Sequence, residues 1–244
     1  MSDYRVLAGQ AVVVIGGSSG IGLETARRAR TEGADVILTG RDPGRLAQAA
    51  AELGTVHTGA FDATDPAALA RFFGDLPRPV DHVMVTAGRP YYGRVADVDV
   101  EAARRSTDEH LWLPINVARH APGAVRPGGT LLFMGGTGAR RPGPGLTFAA
   151  LGTAALPAVT ANLALELAPI RVNLIAAGFV DTPLSAALLG DDLDRRREQL
   201  RATLPIRRVV EPGDVAALAL HIMTNEALTG ATYDIDGGQQ LIGG

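Results

Sequence analysis

Short runs of β-branched and aliphatic residues alternate with stretches whose apolar positions recur at helical spacing from one end of the chain to the other. A strand buried on both faces reads as a continuous apolar run, and helices between such strands cover a parallel sheet. The pattern predicts strands near 11–16, 35–40, 55–60, 80–86, 129–134, 170–176 and 231–235. Between them it predicts a helix opening at Gly20, then helices near 43–53, 66–75, 98–121, 148–168 and 212–224. Asp65-Pro66 marks one sharp start, because Asp caps free N–H groups and Pro suits the first helical turn. The expected fold class is α/β: a single doubly wound, Rossmann-type domain over 1–244, with a parallel sheet of about seven strands and helices on both faces. The segment 179–210 is the longest without a strand and reads as a helical insertion beside the substrate.

The most apolar region, 148–178, is broken by Pro157, Asn162, Glu166, Pro169, Arg171 and Asn173. It is expected to fold as a buried helix and strand, without the ~18 uninterrupted residues of a membrane span. The first nine residues lack the features of a leader, which makes a cytoplasmic location the default expectation. The 244 residues include no cysteine and carry a formal net charge of −3, which excludes a disulfide scaffold and thiolate metal sites. All 23 Lys+Arg residues are arginine, so no lysine can act on phosphate, form a Schiff base or move a proton. Slight acidity and 5% aromatics argue against a nucleic-acid partner. Arg195 to Arg197 reads as a solvated helix face. His57, His82, His120 and His221 lack metal-ligand spacing, and no metal site is expected.

Thirty glycines, well above the ordinary ~7%, mark backbone that bends tightly or approaches a ligand. The densest group, Gly16-Gly17-Ser18-Ser19-Gly20-Ile21-Gly22, follows the apolar run Ala11 to Ile15 and opens a helix. Such a loop brings a pyrophosphate close to the backbone and onto the free N–H groups of a helix N-terminus. The same glycines would also serve to close a tight strand–helix turn.

With this motif the chain resembles the short-chain dehydrogenase/reductase family over nearly its whole length. Thr86-Ala87-Gly88 stands where that family has Asn-Ala-Gly, and Arg171-Val172-Asn173 with Ala177-Gly178 and Thr182 resembles its strand-six segment. Thr229-Gly230 and Asp236-Gly237-Gly238 match its C-terminal signature. The resemblance implies a dinucleotide site at Gly16, Ser18, Ser19, Gly20, Ile21, Gly22, Asp62, Ala63, Thr86, Ala87, Gly88, Gly178 and Thr182. It also implies a small-molecule substrate and a homodimer or homotetramer. At the end of the second strand, Gly40 replaces the carboxylate that would bind a ribose 2′-hydroxyl, and Arg41 follows. A guanidinium there suits a 2′-phosphate, so NADP(H) is the expected cofactor; the competing reading makes Arg41 a solvent-exposed bystander. Asp62 either contacts adenine or caps its local turn.

The family's proton relay is a Tyr-x-x-x-Lys pair on the fifth helix, a Ser about thirteen residues earlier and an Asn on the fourth helix. The corresponding positions here are Phe148, Gly152, Gly135 and His110. A lysine cation lowers the phenol pKa in that relay, and neither Phe148 nor Gly152 carries a proton or a charge. Gly152 and Pro157 predict a fifth helix kinked near its first two turns. His110, Tyr91 and Tyr92 are the candidate proton donors. His110 alternatively fills the space left at Gly152 and donates to a backbone carbonyl, and either tyrosine alternatively sits on an exposed loop. Arg140 and Arg141 bind an anionic substrate or sit in solvent. The leading expectation is an NADP(H)-dependent oxidoreductase acting on an alcohol, carbonyl or activated alkene. A non-catalytic NADP(H) sensor or partner protein, and non-redox chemistry in the same cleft, are the alternatives.

Overall fold

The computed structural model describes residues 5–54, 56–77 and 79–242. Residues 1–4, where no leader is expected, and Thr55, at the head of the predicted strand 55–60, lie outside them. Seven strands, β1 (Ala11–Ile15), β2 (Asp35–Gly40), β3 (His57–Ala60), β4 (Val80–Val85), β5 (Val125–Gly136), β6 (Arg171–Ala177) and β7 (Thr232–Ile235), form one parallel sheet. Their order is β3-β2-β1-β4-β5-β6-β7. The order reverses between β1 and β4, and a crevice opens at the carboxyl ends of those strands. Successive side chains of a strand point to opposite faces, so β1 feeds two cores. Ala11, Val13 and Ile15 join one apolar cluster, and Val12 and Val14 join the other.

The helices are α1 (Gly20–Thr31), α2 (Pro43–Leu53), α3 (Pro66–Gly74), α4 (Val100–Thr107), α5 (Leu113–Ala124), α6 (Thr147–Glu166), α7 (Pro183–Leu189), α8 (Leu193–Thr203) and α9 (Pro212–Thr224). Asp42 and Asp65 cap α2 and α3, with Asp65 accepting from the Ala67 N–H at 2.9 Å. The buried Arg171 opens β6 and donates to the carbonyls of Ile222, Met223, Asn225 and Leu228 at 2.7–3.1 Å. One cation thereby satisfies the carbonyl end of α9 and fixes it against the sheet.

Three expectations are corrected. The single helix predicted over 98–121 is α4, a π turn at Asp108–Trp112, and α5, whose Pro122 and Gly123 leave helical geometry. A π turn inserts one residue into the helical repeat and re-aims the side chains it carries. The fifth helix is not interrupted at the predicted positions: α6 runs as one helix from Thr147 to Glu166 across Gly152 and Pro157. Its Ala149, Gly152, Leu156, Thr160 and Ala164 form a buried spine, and Thr153 Oγ1 donates to the Ala149 carbonyl at 2.9 Å. Finally, Pro157 and Asn162 do not interrupt α6, which is uncharged from Thr147 to Leu165 and long and apolar enough to cross a membrane. Nor is it buried throughout, because the spine uses only one face and much of the remainder is exposed and apolar.

Candidate active site

The glycine loop leaves β1 with Gly16 at φ +93°, where a Cβ would stand 2.5 Å from the Ala87 nitrogen. A Cβ on Gly22 would strike the Gly16 carbonyl. These two positions require glycine for close packing as well as for ligand approach. Thr86 Oγ1 donates to the Gly16 carbonyl at 3.0 Å and ties the loop to the end of β4. Ser19 precedes α1 without a side-chain cap, so no side chain of its own covers the electropositive helix start.

Gly40 ends β2 beside this loop, where a Cβ would meet Ser18 Oγ at 3.3 Å. Arg41 is largely exposed and lies 3.5 Å from Glu109 Oε1. Glu109 sits on the π turn and also accepts from the Arg89 N–H at 2.7 Å. Asp62 Oδ1 accepts from both the Thr64 N–H and hydroxyl, at 3.0 and 2.8 Å, and Ala63 is buried beside it. Asp62 therefore caps its own turn.

A cavity of about 830 Å³ continues from the loop into the space above β5 and β6, lined by Ile21, Thr86, Ala87, Gly88, Gly178 and Thr182 at the loop end. His110 projects into it from the π turn. His110 Nδ1 lies 2.7 Å from the Ser106 carbonyl. A carbonyl only accepts, so Nδ1 carries the hydrogen and Nε2 is left to the cavity. Gly152 lies beneath this ring, where a Cβ would come 3.1 Å from His110 Cβ. Gly135 is hemmed in by Leu156 and Leu174, each 3.2 Å from where its Cβ would be. Phe148 lines the wall.

The two loop tyrosines divide. Tyr92 borders the cavity from an exposed loop, with 54% of its surface in solvent, and partial desolvation raises its phenol pKa above the ordinary value of 10. Tyr91 packs its ring edge-on to Phe148 at 5.4 Å, while its hydroxyl accepts from the Asp99 N–H at 2.8 Å. That contact occupies the Tyr91 oxygen with the start of α4 and does not direct it into the cavity. The two arginines after β5 divide as well. Arg140 is held by Asp234 and by Gln240 Oε1, whereas Arg141 lines the cavity and donates to the Gln239 carbonyl at 3.1 Å.

Arg195 to Arg197 is not one solvated face. Arg195 pairs with Asp192 at 2.9 Å, Arg197 grips Asp181 and Asp194, and Arg196 lines the cavity. Consecutive helical residues point about 100° apart, which separates the three. Sequence reasoning missed Arg196 and Glu109; the helical spacing of the first and the second's place beside His110 were the available signals.

Residues 15–240 match the family model described as enoyl-(acyl carrier protein) reductase. The chain is 31% identical over 254 residues to dehydrogenase/reductase SDR family member 4 of Homo sapiens, covering 98% of this chain and 90% of that protein. It is 30% identical over 240 residues to the cyclic-di-GMP-binding biofilm dispersal mediator protein of Escherichia coli (strain K12), covering 94% and 96%. Among solved structures, a small-chain dehydrogenase in complex with NADPH superposes with a TM-score of 0.82 at 30% identity, covering 96% of this chain and 99% of that one. The MalC reductase/Diels-Alderase of Malbranchea aurantiaca gives 0.90 at 25% identity, covering 98% and 99%.

Proposed function

The chain belongs to the short-chain dehydrogenase/reductase family, and on that premise we propose that it is an NADP(H)-dependent oxidoreductase in which the family's Ser, Tyr and Lys are replaced. The observation that carries this reading is the continuity of the glycine loop with a cavity that holds His110. The loop's glycines fit a dinucleotide, because the close approaches at Gly16 and Gly22 leave its backbone bare beside an uncapped helix start. Bound there, NADPH would supply a hydride to a carbonyl or activated-alkene substrate, and the oxidised cofactor would accept one from an alcohol. Gly16, Ser18, Ser19, Gly20, Ile21 and Gly22 hold the pyrophosphate, and Asp62 and Ala63 border the adenine. Thr86, Ala87, Gly88, Gly178 and Thr182 border the nicotinamide end. Arg41 grips the 2′-phosphate, exchanging Glu109 for a stronger anion. The NADPH-bound relative supports this choice of cofactor.

Positioning supplies most of what hydride transfer needs. The proton comes from Nε2 of the doubly protonated His110 ring, whose Nδ1–H is held by the Ser106 carbonyl. Tyr92 stands at the mouth as the second donor, and Tyr91 is left out because its hydroxyl is engaged. The molecule works as a homodimer joined through the outer face of α6.

Titrating NADPH fluorescence and then screening carbonyl compounds for oxidation of the bound NADPH tests the reading. Arg41→Ala should weaken NADPH by about 10–100-fold, equivalent to ~1.5–3 kcal/mol, and leave NADH unchanged. No NADPH binding by the parent sinks the cofactor site, and equal losses for both dinucleotides sink Arg41. A second reading, non-redox ring formation in the same cleft, is favoured by the name of the fungal relative; binding without turnover of any carbonyl compound would favour it.

A further inference from the structure

The walls of the cavity beyond the glycine loop are apolar, with Phe148, Phe179, Leu184, Leu188, Leu200 and Ile242 facing inward. Two guanidinium groups interrupt them. Arg141 comes from the segment after β5 and Arg196 from α8, elements distant in sequence that converge on one space. No Asp or Glu lines this cavity among the described residues, although the chain has 26 of them against 23 arginines. Neither Arg141 nor Arg196 forms an ion pair with a described carboxylate; their protein hydrogen-bond partners are the Gln239 carbonyl and Gln199 Oε1. Of the other arginines in these two segments, Arg140, Arg195 and Arg197 are each paired with an acid, and Arg201 is exposed.

A half-buried guanidinium without an acid is costly, because low-dielectric walls remove water from the charge. Burial accordingly lowers the Arg196 pKa from its ordinary value. An arginine that serves only solubility would point outward, as Arg195 does. Two that face one apolar chamber instead supply the planar donor forks that suit carboxylate or phosphate oxygens.

We propose that this chamber takes a substrate with an apolar body and one anionic oxygen head group, which Arg141 and Arg196 grip while the body lies against the leucine and phenylalanine walls. This rests on reading the cavity as the substrate site. It is independent of which atom donates the proton. Holding the anion at the α8 side would leave the apolar body extended toward His110.

Calorimetric titration of decanoate, decyl phosphate and methyl decanoate into the protein, with and without NADPH, tests it. At least one of the two anions should bind about tenfold or more tightly than the ester, and the larger ratio identifies the head group. Arg141→Gln and Arg196→Gln should each bring that ratio toward one, while Arg195→Gln leaves it unchanged. NADPH affinity should stay at the parent value in all three variants, which also shows that they fold. Equal affinity for anions and ester, or no binding of any probe, overturns the proposal. It is equally overturned if the two variants lose NADPH and not the anion, since the arginines would then serve the cofactor. Anion preference in a protein that fails to bind NADPH would uphold this site and sink the dinucleotide reading instead.

Discussion

Gly152 and His110 are matched residues. A side chain at 152 would press on His110 at 3.1 Å, so the ring occupies ground that a lysine stem would otherwise cross. Filling a packed site with extra methylenes costs about 1–3 kcal/mol, and Phe148→Tyr with Gly152→Lys can rebuild a phenol–ammonium pair only if His110 gives way. The proton role of His110 separates from packing by experiment. His110→Asn should lower turnover of a substrate found in the carbonyl screen by ~10²–10⁴, with NADPH affinity unchanged. A lower thermal midpoint with unaltered turnover per folded molecule would make His110 a packing residue. The sequence marked His110 because its neighbours fit a family pattern. The ring's orientation was not legible, since it depends on the π turn and on the Ser106 carbonyl one turn back.

At the scale of elements, β4 buries a titratable group with consequences for stability. His82 is 1% exposed, its Nε2 lies 2.7 Å from Gln10 Oε1, and its Nδ1 has no partner among the described residues. Burial, opposed by Asp81 and reinforced by Arg171 and Arg126, lowers its pKa from 6.5 to about 4. The folded state thus binds the proton more weakly than the unfolded state. Stability from this group is full above the unfolded value of 6.5 and declines as pH falls toward 4, by about 3 kcal/mol in all. Chemical denaturation between pH 7 and 4 should show that decline, and His82→Gln should flatten it; an unchanged slope in the variant would assign the acid sensitivity to other groups. The strands around His82 were legible because continuous β-branched runs have one good home, a sheet covered on both sides. The interruption of the 98–121 helix was not, because α4, the π turn and α5 continue one amphipathic pattern. Likewise α6 survives Gly152 and Pro157 because tertiary packing of its buried spine outweighs local propensity.

The whole molecule leaves one large apolar face uncovered. Along α6, Leu151, Ala154, Ala158, Ala161 and Leu165 recur every three or four residues and are exposed, with Leu151 at 52% and Leu165 at 81%. They lie apart from the spine that packs on the sheet, so α6 is apolar on two sides. Trp112, on the adjoining π turn, is 56% exposed. Contiguous apolar surface of this kind marks an interaction site, and alanines at its centre let two such helices approach closely across a two-fold axis. The same helix carries Phe148 and Gly152 at the cavity, so pairing would steady the active-site wall as well as cover the face. Ala158→Arg places a cation at the centre of the contact, where it is hydrated in the monomer and desolvated in the dimer. Sedimentation velocity should find the parent dimeric at micromolar concentration and the variant shifted toward monomer. The variant's thermal midpoint should then lose the concentration dependence expected of the parent. NADPH affinity retained by the variant would show that each subunit still folds. A parent that sediments as a monomer, or a variant that stays dimeric, would place the assembly surface elsewhere and leave the outer face of α6 without a role in it.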